Sequence, residues 1–300
     1  MTVAAQTRIG LVITQHGRTS IIEDEEGQLH RCSSRRKLER IVCGDQVDWQ
    51  ADGDRSHGVI TGIHKRRSVL CRQHLRGDNR PLVANIDQVV ITCAPYPVLS
   101  EGLIDRYLVA AELIGCNSLL LLNKADMLSS DELAQHRQRL QIYSQIGIEL
   151  LIVSAHQNDS LADLRKHLIN NTSILVGQSG TGKSSLTNAL LPDKDIRVGA
   201  LSEGSGLGQH TTSSSTLYHL PEGGSLIDSP GVRDFRLWKL EAEELMHGFR
   251  EFKSYLGQCR FHNCRHVNEP NCAVQSATDR GEIDPARLAS YRNILEGFTE

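Results

Sequence analysis

Apolar residues along this chain come in short clusters whose spacing changes twice. Over residues 1 to about 75 the clusters are brief: Arg8-Ile9-Gly10-Leu11-Val12-Ile13, Thr19-Ser20-Ile21-Ile22, Gln46-Val47-Asp48-Trp49 and Gly58-Val59-Ile60-Thr61, separated by turns rich in Gly and Asp. Short strands at that spacing predict a small β-barrel, since a β-sandwich needs more strands than this length supplies. The polar stretch from Gln73 to Arg80, ending at Pro81, reads as a linker.

From Asn85 the rhythm changes. Val89-Val90-Ile91-Thr92, Leu119 to Leu122, Leu150-Leu151-Ile152-Val153, Ile174-Leu175-Val176 and the later pair Leu226-Ile227 are runs of the kind buried on both faces, with helical periods between the earlier ones. This alternation predicts βαβ units around a parallel sheet. Beyond about Trp238 the chain becomes charged and helical, passes through a cluster of Cys and His, and ends in a polar helical tail. No internal repeat or low-complexity tract interrupts it.

Composition adds limits rather than a function. Three hundred residues, 39% of them hydrophobic, fit a globular chain of about two domains or equally one large domain with small appendages. No apolar run has transmembrane length and the N-terminus lacks a secretory pattern, so a cytoplasmic protein without membrane contact is expected. The net charge of −3 conceals an asymmetry, because residues 31–80 hold twelve Lys/Arg against six Asp/Glu. That local excess points to a polyanionic partner. Of eight cysteines, five are scattered and three crowd near the C-terminus, an arrangement that favours metal over disulfides.

The chemistry lies at the ends of the predicted strands. Gly177-Gln178-Ser179-Gly180-Thr181-Gly182-Lys183-Ser184-Ser185 fits a phosphate loop, in which glycines let backbone N–H groups converge on phosphate oxygens and the next helix adds its positive N-terminal dipole. Lys183 would reach the β- and γ-phosphates, and Ser184 would ligate Mg²⁺. Asn123-Lys124-Ala125-Asp126 reads as a guanine-specificity motif in which Asp126 accepts from the N1 and N2 donors that adenine lacks. Ser154-Ala155-His156 would back the base with its main chain. Asp228-Ser229-Pro230-Gly231 would hold Mg²⁺ through Asp228 and sense the γ-phosphate through the Gly231 amide. Between these, Gly204 to Ser215 carries Thr211-Thr212 and suits a switch, with Thr212 preferred over Thr211 as the second hydroxyl ligand.

The order of the motifs is unusual. An ordinary GTPase places the phosphate loop first and the specificity motif late; here the sequence runs specificity motif, base-backing motif, phosphate loop, switch and Asp-Ser-Pro-Gly. This order predicts a circularly permuted GTPase. Val232 follows Gly231 where many GTPases place a water-orienting Gln, so intrinsic turnover should be slow, and His210 is the best-placed residue to orient water.

Cys259, Cys264, His266 and Cys272 have the spacing C-x4-C-x-H-x5-C. Three thiolates and one imidazole suit a closed tetrahedral Zn²⁺ that is structural, with His262 the alternative imidazole.

Taken together these motifs resemble the bacterial ribosome small-subunit-dependent GTPase A family, on Gly177 to Leu186, Gly208-Gln209-His210-Thr211-Thr212, Asp228 to Gly231 and the Cys/His spacing. The resemblance implies an OB-fold RNA-binding domain at 1–75, a circularly permuted P-loop GTPase domain of α/β class at 82–238, and a small α-helical zinc-binding domain at 239–300. It implies GTP and GDP as ligands, one Zn²⁺ and a Mg²⁺ that accompanies GTP, and a monomer acting on the small ribosomal subunit and its rRNA in late maturation. His210, Lys183 and Thr212 would be the catalytic residues. Arg35, Arg36, Lys37, Lys65, Arg66, Arg67 and Arg72 would meet rRNA phosphates. Two departures stand out: Gln209 occupies a position usually basic, and the chain begins almost at the barrel, without the long basic extension some relatives carry. Two other classes of function compete with this one: an RNA-binding switch whose hydrolysis is incidental, and a GTP-dependent regulator of a protein partner or of metal supply.

Overall fold

A computed structural model describes residues 7–35, 38–52, 57–73, 79–192, 214–229 and 240–297. By its contacts the chain divides into two compact units, one made of residues 1–87, 162–175 and 184–235 and the other of residues 88–161, 176–183 and 236–300.

The first unit contains a five-stranded barrel: β1 (Arg8–His16), β2 (Thr19–Asp24), β3 (Leu29–Ser34), β4 (Gln46–Ala51) and β5 (His57–Ile63). β1, β2 and β3 form an antiparallel meander, β5 runs parallel to β3, and β4 lies antiparallel to β5 and closes on β1. Closure removes the open edges that an isolated sheet would expose. Inward-facing residues Val12, Ile22, Cys32, Val47, Trp49 and Ile60 fill the barrel together with Ile41. The Trp49 indole fits because two facing positions lack side chains. A Cβ on Gly58 would stand 2.7 Å from Trp49 Cε3, and one on Gly10 would stand 3.2 Å from Trp49 Cδ1.

Strand β3 is absent from the apolar pattern for a physical reason: its inward residues are His30 and Cys32, neither aliphatic, and His30 is used to pack on Trp49 with ring centroids 4.4 Å apart. Residues 74–78 of the expected linker lie outside the described residues; on either side of them β6 (Val69–Gln73) and β7 (Asn79–Ala84) pair antiparallel, with Pro81 opposite Cys71 beside a bulge. A two-stranded ribbon has edges on which a proline, lacking an N–H, is tolerated.

The same unit holds β11 (Thr172–Val176), β12 (Thr216–His219) and β13 (Ser225–Asp228), with β11 parallel to β13, β12 antiparallel to β13, and β12 paired with β1 at Thr14↔Thr216. Helices α3 (Ala162–Leu168) and α4 (Lys183–Leu190) flank β11 in the chain.

In the second unit, β8 (Gln88–Cys93), β9 (Asn117–Leu122) and β10 (Glu149–Ile152) form a parallel sheet in the order β10-β9-β8. All six residues of β8 are buried, as expected where both faces of a parallel sheet are covered. α1 (Glu101–Leu113) and α2 (Ser130–Gln145) make the crossovers, α2 starting at a reciprocal Ser129–Glu132 capping box. The C-terminal helices α5 (Ala242–Gly248), α6 (Ala273–Asp279) and α7 (Pro285–Glu296) belong to this unit, and α5 and α7 pack on α1. Gly248 allows the close approach, since a Cβ there would lie 2.6 Å from Val109 Cγ1. At the joint, the buried guanidinium of Arg287 pairs with Asp105 of α1 and with Glu251 at 2.6 Å.

Candidate functional site

Residues 177–183 connect the end of β11 to α4 and adopt a shape that depends on glycine. Gly177, Gly180 and Gly182 have φ of +141°, +85° and +91°, a region that other residues enter only with strain. Space is equally restrictive: a Cβ on Gly177 would fall on the carbonyl oxygen of Thr92, and one on Gly182 would fall on Nδ2 of Asn123. Lys183 is buried, and its Nζ donates to the carbonyls of Gly177 at 2.6 Å and Gln178 at 2.7 Å, so the ammonium is held inside the loop. Thr181 Oγ1 donates to Gln178 O at 3.0 Å and tightens the same turn. Ser184 and Ser185 are exposed on the first turn of α4.

Asn123 follows the last residue of β9 and is 1% exposed. Its Nδ2 donates to Thr181 O at 2.9 Å, and its Oδ1 accepts from the Ala155 amide at 3.1 Å. A single side chain therefore ties the specificity motif to both the phosphate loop and the base-backing motif. Lys124 sits at φ +65° and donates to Tyr96 O at 2.9 Å, which leaves Asp126 exposed in the short 3₁₀ turn Ala125–Met127. An exposed carboxylate beside a fixed amide scaffold is free to accept from a ligand. Ser154 is buried, and its main chain is fixed by Ser160, whose Oγ accepts from Ser154 N at 2.9 Å and donates to Ser154 O at 3.0 Å. Ser160 carries no motif, so the sequence gives no signal for it.

Asp228 ends β13 and Ser229 follows it, buried, with its hydroxyl 2.6 Å from that of Ser215. The carboxylate of Asp228 and the hydroxyl of Ser184 are hard oxygen donors of the type that Mg²⁺ takes. His210, Thr211, Thr212, Gly231 and Val232 lie outside the described residues, as do Arg36 and Lys37.

The C-terminal cluster is compact. The ligand atoms of Cys259, Cys264, His266 and Cys272 all lie within 4.8 Å of one another. His266 Nδ1 is 3.6 Å from the sulfurs of Cys259 and Cys264 and 3.2 Å from that of Cys272. Metal–ligand lengths of about 2.0–2.3 Å put tetrahedral ligands about 3.5–3.8 Å apart, so four donor atoms within 4.8 Å of one another could close on a metal ion. His262 is exposed and outside the cluster. Burial pushes the Cys264 thiol up to about 12, which keeps it protonated unless a cation opposes that burial. Main-chain amides already face the sulfurs, Ala273 N at 3.3 Å from Cys259 and Gln275 N at 3.5 Å from Cys272.

Glu269 shapes the loop that presents His266, accepting from the amides of Arg265 and Val267 at 2.8 Å and of Asn268 at 3.1 Å. Burial raises its pKa, and these amides outweigh burial and bring the carboxyl below its ordinary range. Like Ser160, Glu269 has no signature in the sequence.

The basic residues of the first unit separate into two kinds. Arg66 donates through Nε and Nη2 to the fully buried carboxylate of Asp45, at 2.6 and 2.8 Å, and through Nη2 to Arg40 O at 2.6 Å. It is a structural residue of the barrel, which corrects its expected place among the free phosphate contacts. Arg35, Lys65 and Arg67 are exposed, Arg67 by 67% of its side chain while it touches Asp87.

Comparison with known proteins agrees with this geometry. The RsgA GTPase family model matches residues 63–238. The chain belongs to the RsgA GTPase family. It is 43% identical over 98% of its length to the small ribosomal subunit biogenesis GTPase RsgA of Haemophilus influenzae (strain 86-028NP), covering 86% of that protein. It is 46% identical over 97% of its length to the protein of the same name in Actinobacillus pleuropneumoniae serotype 5b (strain L20), again covering 86%. Among solved structures, YjeQ from Thermotoga maritima superposes with a TM-score of 0.81 at 32% identity, covering 98% of this chain and 99% of that one. YloQ, described as a circularly permuted GTPase, superposes with a TM-score of 0.78 at 27% identity, covering 100% and 97%. This family member is thus a GTP hydrolase of circularly permuted fold.

Proposed function

We propose that this GTP hydrolase binds the small ribosomal subunit in its GTP form, acts late in the maturation of that particle, and leaves after hydrolysis. The relatives named above are small-subunit biogenesis GTPases, and the observation that carries the reading to this chain is the Asn123 amide joining three guanine-nucleotide motifs. In this reading residues 1–75 are an OB-fold RNA-binding domain, 82–238 the GTPase domain and 239–300 a zinc-binding domain. The protein works as a cytoplasmic monomer; among the described residues no helix is long and apolar enough to cross a membrane.

The roles follow from the chemistry at each position. Gly177, Gln178, Ser179, Gly180, Thr181 and Gly182 offer main-chain donors to phosphate, and Lys183 exchanges its two carbonyl acceptors for β- and γ-phosphate oxygens. Asp126 reads the guanine base, while Lys124, Ser154 and Ala155 border it. Ser184, Thr212 and Asp228 would hold Mg²⁺, which when bound neutralises charge on the β- and γ-phosphates. The Gly231 amide meets the γ-phosphate, and His210 orients the attacking water where Val232 offers no hydrogen bond. Cys259, Cys264, His266 and Cys272 hold one structural Zn²⁺, and Arg35, Arg36, Lys37, Lys65, Arg67 and Arg72 meet rRNA phosphates.

Sedimentation of the purified protein with small subunits tests this directly. Co-sedimentation with a non-hydrolysable GTP analogue but not with GDP, together with faster GTP turnover when subunits are added, is the expected result. Absence of both would remove the ribosome-coupled reading and favour a regulator of another partner.

A further inference from the structure

Strand β1 changes neighbours part-way along its length. Arg8 to Leu11 pair with β4, Thr14 pairs with Thr216 of β12, and β2 follows the opposite edge with a bulge between Val12 and Thr14. A bulge bends a strand and re-aims the side chains beside it. Here it marks the point where the barrel's first strand leaves the barrel and joins the strand that follows Thr211-Thr212 in the chain.

Hydroxyl groups meet at this junction where apolar side chains would pack more simply. Thr14 is 2% exposed and Ser229 6%. Thr14 Oγ1 donates to Ser215 O at 3.0 Å, accepts from Thr216 Oγ1 at 3.3 Å and stands 3.3 Å from His16 Nε2. His16 Nδ1 is 3.0 Å from Ser214 Oγ, and the Ser215 and Ser229 hydroxyls are 2.6 Å apart. With the His16 proton on Nε2, the Thr14 hydroxyl donates once and accepts twice, and Nδ1 accepts from Ser214, so the donors and acceptors match. Burial lowers the pKa of His16, in keeping with a neutral ring. A half-buried polar network with matched partners favours one arrangement, because a slip leaves the buried Thr14 and Ser229 hydroxyls unpaired.

The segments joined this way are the ones that flank candidate Mg²⁺ ligands. Ser215 lies three residues after Thr212, and Ser229 immediately follows Asp228. We propose that Thr14 is a positioning residue for the GTP state: through Ser215 and Ser229, the barrel strand β1 holds residues 214–216 and the end of β13, which bears Asp228, in one register. The inference rests on the nucleotide roles assigned above. It gives the barrel a hydrogen-bonded route to the segment that bears Asp228.

The test is nucleotide discrimination by the full-length protein in the presence of Mg²⁺. Thr14→Val keeps the shape and removes the hydroxyl; it should weaken binding of a non-hydrolysable GTP analogue about tenfold, with GDP affinity unchanged within about twofold. Ser229→Ala should do the same and carries the test should the valine variant fold poorly. Combining the two should be no worse than either alone, and Thr14→Ser should restore discrimination. A merely structural role would weaken both nucleotides together and would add across the two sites. Equal loss for GDP and the GTP analogue, or no loss, overturns the proposal. Adding small subunits to the unmutated protein separates this from the functional reading: lack of stimulation counts against ribosome coupling, while the role of Thr14 is still decided by the two affinities.

Discussion

Asn123 separates holding the nucleotide site from reading the base, and its replacement gives a quantitative test. Asn123→Ala removes a donor to Thr181 O and an acceptor for the Ala155 amide. Thr181 is 2% exposed, so its carbonyl loses its partner with little help from water, whereas Ala155 is half-buried and recovers part of its bond. An orphaned buried group costs about 1–3 kcal/mol, and a partly hydrated one somewhat less, which gives about 2–4 kcal/mol in total. Both loops must keep this register to hold a nucleotide, so the loss is expected in affinity, at about 30- to 700-fold. Asn123→Asp retains the acceptor for Ala155 and sets a carboxylate against Thr181 O, so it too should weaken binding. Equilibrium titration with guanine and xanthine nucleotides is the assay. Asn123→Ala should weaken GDP and xanthosine diphosphate alike, whereas Asp126→Asn should shift preference toward xanthine because the new amide donates where the acid accepted. Unchanged affinity in Asn123→Ala, or a change of base preference as large as that of Asp126→Asn, would refute the division between the two residues.

The purified protein should contain one zinc per chain by metal analysis, and Cys264→Ser should lose zinc and C-terminal order while guanine-nucleotide affinity survives; protein prepared without chelators that holds no zinc would defeat this. Arg66→Ala leaves the fully buried Asp45 carboxylate without its charged partner, only the Val42 amide still donating to it, and should cost about 3–5 kcal/mol of stability, read by denaturant titration. Arg67→Glu acts on an exposed side chain, should cost less than about 1 kcal/mol, and should instead weaken association with small subunits at low salt. His210→Ala should leave GTP affinity nearly intact, remove most of the subunit-stimulated turnover and keep the protein on the particle; hydrolysis at the stimulated rate in this variant would exclude the histidine from water orientation.

The parallel strands were legible because burial on both faces forces continuous apolar runs, and β8 and β9 stand where Val89-Val90-Ile91-Thr92 and Leu119 to Leu122 put them. The barrel was legible from fewer strands than it has. β3 turns His30 and Cys32 inward, and outside the barrel β7 of the two-stranded hairpin contains Pro81, so neither shows the alternation that marks a half-buried strand. The cluster that could hold a metal ion was legible from spacing alone, since three thiols and an imidazole close together in the chain have few other uses. Charge was a weaker guide: Arg66 and Arg67 are adjacent, yet one neutralises a buried carboxylate and the other is exposed, a distinction that depends on which way each side chain leaves the strand end.

What the motifs conceal is the set of residues that hold the readers in place. A group that must meet a phosphate, a base or a metal ion has few chemical substitutes, so its type and spacing persist as a pattern. A group that only fixes a loop can be replaced by many others, and its partner is distant in the chain. Ser160 and Glu269 work locally, through main-chain amides and carbonyls within six residues. Arg287 works at long range: it is 1% exposed, lies over the Phe249 ring at 4.6 Å, and pairs with Asp105 of α1 as well as Glu251. A buried guanidinium is costly to desolvate and is tolerated only when its donors are matched, as the two carboxylates match them here. The segment that carries the Cys/His cluster therefore rests on the helix that follows β8 through contacts no motif announces. A cut between residues 238 and 239, which the sequence pattern suggests as a domain boundary, would expose the carboxylate of Asp105 and the face of Val109 that Gly248 now covers. By its contacts the C-terminal segment falls in the same compact unit as Asn123 and residues 176–183.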